Sequence, residues 1–242
     1  MVDVKRALTY PFKDDNWIVK IIIGAIPFIN PFFSIGYAFE VFKQALNNKA
    51  ELTMPEWDEW GGYFKSSIMI ILIYLVYMLI PIILYAIGAS VMIGGAAIGS
   101  ETSSGGGIGT AGTIAMIIGG LIYFVGFVFA VILGLMIPMA LANYAKNDER
   151  FGAIFQLGVI IKNIFSIIGD YLLTFLVIIG ICIVVGIAMM IVFLINIIPI
   201  LGQILYFLVY LVVGFWLSLV IFPLLGETCA GAYGAGKAVK KA

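Results

Sequence analysis

The sequence predicts an all-α integral membrane protein. It reads as a helical bundle of four long spans, an N-terminal short helical hairpin and interfacial amphipathic helices. Three observations carry this reading. Of 242 residues, 63% are hydrophobic and 11% charged, where a soluble domain has about 25% charged residues. Mean hydropathy is +1.17, more apolar surface than a water-soluble globule of this size can cover with a charged exterior. The charge-free runs are also long, and residues 171–226 hold 56 positions without one charge.

As a single helix that last run would measure about 84 Å, against a hydrocarbon core of about 30 Å. It must fold back, and Asn196, Pro199 and Gly202 mark the turn. The legs then lie at about 170–195 and 199–226. Residues 66–145 hold one charge, Glu101, within a Gly/Ser-rich stretch at 94–112. That composition reads as a flexible loop, leaving legs at about 66–93 and 113–143.

The first apolar stretch is shorter. Residues 17–29 and 32–45 flank Asn30 and Pro31, and neither part reaches the roughly 20 residues that a crossing needs. It is either one broken crossing or a hairpin that dips in and returns. The 94–112 and 196–202 connections contain no Lys or Arg. A hairpin over 17–45 puts all thirteen basic residues on one side, so the positive-inside bias favours the hairpin. The expected location is the cell membrane, multi-pass, with both termini cytoplasmic. Lys5 and Arg6 precede an apolar run as in a signal peptide, but Pro27 and Pro31 interrupt it and no small-residue cleavage site follows; the segment is expected to be retained.

With that topology the chain reads as one membrane domain, residues 1–242, of three repeat-like units at about 1–46, 47–144 and 145–242. Each unit leads from a polar-flanked amphipathic segment into an outgoing and a returning leg. The first two returning legs share a Pro-x5-Tyr spacing, Pro31 with Tyr37 and Pro138 with Tyr144. The third keeps Pro223 and delays its tyrosine to Tyr233. Internal duplication in membrane proteins often places a site where repeats meet.

The linking segments read as surface helices. Thr53 and Glu56 have capping-box spacing, with Leu52 and Trp57 as a hydrophobic staple, so residues 52–64 are expected to be helical. Trp57, Trp60 and Phe64 then share one face. Asn147 and Asp148 can cap a second amphipathic helix, with Phe151, Ile154, Phe155, Gly158 and Ile161 along one side. Trp17 is a third anchor. The membrane-interface anchors are therefore Trp17, Trp57, Trp60 and Phe64.

Little in the chain points to chemistry. There is no histidine, which removes the commonest acid/base group and the commonest transition-metal ligand. Cys182 and Cys229 read as free thiols within the membrane. Residues 107–112 match G-x-G-x-x-G, but the motif needs a strand before it and a helix after it, and here it falls in a loop between spans. No nucleophile with a base and no P-loop occurs. Cofactors and bound metals are expected to be none, catalytic residues none, and the zero net charge gives no basic field for nucleic acid. Elemental analysis of the purified protein should find no stoichiometric metal.

Charges inside spans usually mark ion or proton paths. Lys20, Glu40, Asp170 and Glu227 all lie near leg ends, where interfacial snorkelling explains them. The functional polar positions to follow are Tyr37, Glu40, Tyr144, Asn196 and Glu227. The expected partners are the lipid bilayer and other membrane subunits or a second copy of the chain, as a homo-oligomer. A non-catalytic accessory, scaffold or assembly component is the first reading. A channel or facilitator for a small solute or ion is the alternative, and it needs several of Tyr37, Tyr144, Thr174, Asn196 and Ser218 to converge on one hydrated cavity.

Residues 10–17 (Tyr-Pro-Phe-Lys-Asp-Asp-Asn-Trp), then Gly36 and Tyr37, then residues 55–60 (Pro-Glu-Trp-Asp-Glu-Trp) resemble the signature of the domain of unknown function 4013 family. The similarity continues through the segment at Phe151 and through Gly169, Asp170 and Tyr171. The resemblance implies an archaeal or bacterial multi-pass membrane protein, and it transfers no activity and no catalytic residue.

Overall fold

A computed structural model describes residues 3–48, 51–101 and 109–239. Among them every regular element is helical. Four helices are long and apolar enough to cross a membrane: α4 (Trp60–Glu101), α5 (Thr110–Lys146), α7 (Ile168–Phe193) and α8 (Leu201–Val239). Shorter ones are α1 (Val4–Thr9), α2 (Trp17–Ala25), α3 (Ile35–Leu46) and α6 (Leu157–Ser166). Pro81, Pro138 and Pro223 sit inside α4, α5 and α8, a position that membrane helices tolerate far better than soluble ones.

The N-terminal stretch turns back. α2 stops at Ala25, and a wide turn over Asn30–Ser34 leads into α3. The two arms are bent by 114°, so they do not continue one another as a straight span. Side chains close the turn: Asn30 Nδ2 and Ser34 Oγ both donate to the Gly24 carbonyl, at 3.0 and 2.8 Å. Pro31 has no N–H to lose there.

The chain forms two compact units, Met1–Ile71 with Pro138–Ala242, and Leu72–Ile137. In the second unit the helices pair through glycine. A Cβ at Gly88 would lie 2.8 Å from the Gly119 carbonyl, and one at Gly119 would meet Gly88 and Met92. Gly95 and Gly112 repeat the contact further along. Small residues let membrane helices approach to backbone contact. The loop expected at 94–112 is therefore too long: α4 continues to Glu101 and α5 starts at Thr110. Residues 102–108 of that loop, and with them the start of the G-x-G-x-x-G match, lie outside the described residues.

In the first unit α3 packs along α8, with α1 and α2 against α8 as well. The core joins Tyr10, Ile21, Tyr37, Val41, Phe215 and Leu219 among others. Gly36 sits where α3 presses on the start of α4: a Cβ there would collide with the Tyr63 carbonyl, and its N–H donates to Ser67 Oγ at 2.7 Å. Gly36→Val should lower the melting temperature in mild detergent, by an overpacking cost of about 1–3 kcal/mol. Gly61→Ala, with nothing near the added methyl, should leave it unchanged or slightly raised. Equal effects would show that this contact is not specific.

Two linking segments depart from expectation. Residues 52–59 are not helical, and α4 starts only at Trp60. Met54 precedes Pro55, which biases it away from the helical region. The second segment is split into a 3₁₀ turn, Phe151–Phe155, and α6. Its inward residues are Ala153, Ile154 and Ile160, whereas Phe155 and Ile161 face outward. Asp148 does not cap it; the residue before the 3₁₀ turn is Arg150, with no side-chain cap.

Candidate functional site

The polar residues of the first unit form ion centres and one amide node around a filled aromatic core. The best-built centre surrounds Lys20. Asp14 ends the turn before α2, and its Oδ1 accepts the Asn16 N–H at 2.9 Å. Its other oxygen takes Lys20 Nζ at 2.7 Å, and Glu56 Oε1 takes the same ammonium at 2.6 Å. The Met54 carbonyl adds a third acceptor at 3.3 Å. Lys20 is thus buried and paired; it does not snorkel as its place near a helix end suggested.

This centre straps residues 52–59 across α2 and α3. Trp57 Nε1 donates to the Lys20 carbonyl at 3.1 Å. Tyr37 donates to the Pro55 carbonyl and Tyr63 to the Glu56 carbonyl, both at 2.6 Å. Gln44 exchanges two hydrogen bonds with the Thr53 backbone. Side chains from four positions thereby pair the backbone polar groups of a segment with no ladder of its own. Below it, Tyr37 stacks on Trp57 with ring centroids 4.3 Å apart. Trp60 lies 5.1 Å from Trp57, and Phe33 touches both Trp60 and Phe64. Tyr10 donates to the Leu219 carbonyl at 2.9 Å, and burial pushes its phenol well above the ordinary tyrosine range.

A second centre joins two linking elements. Lys43 Nζ lies 2.6 Å from Glu40 and 2.7 Å from Glu149, and over the Phe39 ring. Tyr144 is buried beside Phe39. At the N-terminus Arg6 pairs with Glu227 at 3.2 Å, and the Asp3 N–H donates to the other Glu227 oxygen. The amide node is Asn143, which is buried. It donates to the Ala153 carbonyl and to Gln156 Oε1, and accepts from Asn147 and Tyr233.

The structure thus brings Tyr37, Trp57, Trp60 and Phe64 into one aromatic cluster, and Glu40 and Tyr144 together around Phe39 and Lys43. Trp17 packs edge-on against Phe12. Glu227 holds the N-terminal helix. Asn196 stands apart in the turn between α7 and α8, bonded to the Phe193 carbonyl. Sequence reasoning missed Lys20, Tyr63, Asn143 and Glu149. The strongest available signal was that Lys20 is the only charge between Asn16 and Phe39, yet its partner Glu56 lies 36 positions away.

Among the described residues no three His, Cys, Asp or Glu are placed to hold a metal. Cys229 is buried and Cys182 faces outward, both free.

The family model "Protein of unknown function (DUF4013)" matches residues 19–194. The chain belongs to that family. The matched span covers the Lys20 centre apart from Asp14, the strap, and the Asn143 node apart from Tyr233, and runs to the end of α7. No curated protein and no solved structure matches the chain.

Proposed function

We propose that this DUF4013 protein is a non-catalytic accessory, scaffold or assembly component of a complex in the cell membrane. In this reading both termini are cytoplasmic and the spans associate with other subunits or a second copy. One contrast carries it. The core around α3 and α8 is tightly built, with Tyr37, Phe39, Phe42, Tyr144 and Phe215 fully buried, while the most apolar window of α7 has no residue buried within the chain. α7 packs one side along α8, and an apolar span that its own chain leaves so largely uncovered rests against lipid or another protein.

The residues that a solute path would need support the same reading. Tyr37 is committed to the Pro55 carbonyl, Ser218 to the Phe215 carbonyl and Asn196 to the Phe193 carbonyl. Thr174 and Thr228 bond each other at 2.7 Å. These hydroxyls and amides are spent on neighbours instead of facing a shared opening. Purification from the native host in gentle detergent, followed by native mass spectrometry, should yield a homo-oligomer or defined partner subunits. A lone monomer across several mild detergents would overturn the proposal.

A further inference from the structure

The first unit holds an open surface hollow of about 730 Å³, its described lining including Asn47, Asn48, Asn143, Lys146, Asn147, Gln156 and Tyr233, with Asn47, Asn48, Lys146 and Gln156 exposed. Its volume is that of an ordinary small-ligand site, where about 300–1,000 Å³ is usual. It lies where the C-terminal ends of α3 and α5 come beside α6 and the end of α8.

The lining chemistry is unusual for this chain. Five side chains are carboxamides: Asn143 is spent on its neighbours, while the Nδ2 of Asn47, the Nε2 of Gln156, the Oδ1 of Asn147 and both ends of Asn48 are left to donate and accept. Among the described residues no carboxylate lines the hollow, which disfavours a metal or an organic cation. The one formal charge among its described lining residues, Lys146, is already engaged: it donates to Asn47 Oδ1 at 2.7 Å and lies over the Tyr233 ring. The ends of α3 and α5 present helix C-termini, whose partial negative charge disfavours an anion. Asn143 fixes the arrangement, since its amide is buried and bonded to Gln156, Asn147 and Tyr233. Such a lining suits a ligand that donates and accepts in equal measure and carries no net charge. Tyr233 adds an aromatic ring for the C–H face of a sugar or cyclitol.

We propose that this cavity binds a neutral polyhydroxylated group, a sugar or cyclitol, either free or as the head group of a membrane lipid. The amides at the cavity wall bond its hydroxyls, and Tyr233 packs against its ring. This goes beyond the scaffold reading and does not depend on it, because a scaffold without a ligand and a ligand-binding protein without partners are both physically sound.

The test uses the full chain in phosphatidylcholine nanodiscs, with binding read as a saturable rise in melting temperature. Free glucose and myo-inositol are titrated in one arm. In the other, monoglucosyl diacylglycerol is added to the nanodisc lipid. Inorganic phosphate and choline serve as charged comparisons. Val159→Trp fills the cavity while leaving the amides in place, and should weaken the polyol response at least about tenfold, equivalent to about 1.4 kcal/mol. Asn147→Ala removes one amide without filling the space and should weaken it several-fold, so the test stands even if the tryptophan variant fails to fold. A response to the glycolipid alone supports the proposal with a lipid-borne ligand, and one to the free polyols supports it with a soluble ligand. Saturation by phosphate or choline only, no response to any polyol, or a response unchanged in both variants would overturn it.

Discussion

Changing Asp14 and Glu56 together to Asn and Gln should destabilise the protein more than removing the lysine that they hold. The side chain of Lys20 is 4% exposed, that of Asp14 19% and that of Glu56 68%. The buried charge is therefore the ammonium, while both carboxylates can turn toward water. The double amide variant leaves Lys20 charged, enclosed and without a counter-charge, and breaking a buried pair in this way costs about 3–5 kcal/mol. Lys20→Met removes the charge itself and keeps an apolar stem of similar length. It leaves Asp14 and Glu56 to solvent, at a cost of about 1–2 kcal/mol from the lost hydrogen bonds of the strap. Glu56→Gln alone should cost about 0–1 kcal/mol, because that partner is mostly exposed. The triple variant should recover much of the loss seen in the double. Thermal unfolding in mild detergent reads all four. A Lys20→Met variant less stable than the double amide would show that the carboxylates, not the ammonium, are the groups in need of compensation.

That centre also shows where the sequence is legible and where it is not. The spans could be read because lipid demands long apolar runs, a local property. The expected legs 170–195 and 66–93 fall within or close to α7 and α4. Their ends could not be read, because helix ends answer to tertiary contacts. Residues 94–101 look like a loop by composition, yet glycine pairing across Gly95 and Gly112 keeps them helical. Residues 52–59 carry a good capping signal, yet Tyr37, Tyr63, Gln44 and Lys20 claim that backbone from elsewhere in the chain. Similarly, Asn143 takes the Ala153 carbonyl and the Gln156 side chain, and the expected amphipathic helix breaks between them. Tyr37 and Tyr144 stood out through their Pro-x5-Tyr spacing, and Glu40 and Glu227 through their places near leg ends. The pairing of Lys20 with Glu56 and of Asn143 with Tyr233 could not be read, because partners 36 and 90 positions away leave no periodic trace.

The bent N-terminal pair leads to the second large effect, an all-or-none difference in thiol labelling. α2 and α3 meet at 114°, and the Gly24 carbonyl at their junction takes both the Asn30 amide and the Ser34 hydroxyl. A turn at membrane depth must satisfy its backbone groups internally, since each one left bare in lipid costs several kcal/mol. Those two bonds meet that demand for a carbonyl that a straight helix would have paired by itself. A pair α2 and α3 that enters and leaves on one side is the arrangement that the grouping of basic residues and the proposed cytoplasmic termini call for. With Cys182 and Cys229 first replaced by alanine, a probe cysteine at Lys5, which is exposed ahead of the pair, should resist an impermeant maleimide in whole cells and react once they are opened. A probe at Ile197, in the exposed turn between α7 and α8, should react in whole cells. Labelling of both from outside would mean that residues 17–46 cross the membrane. In that case α2 and α3 are the two halves of a kinked span, and the Gly24 acceptor is a repair at its break, not the floor of a hairpin.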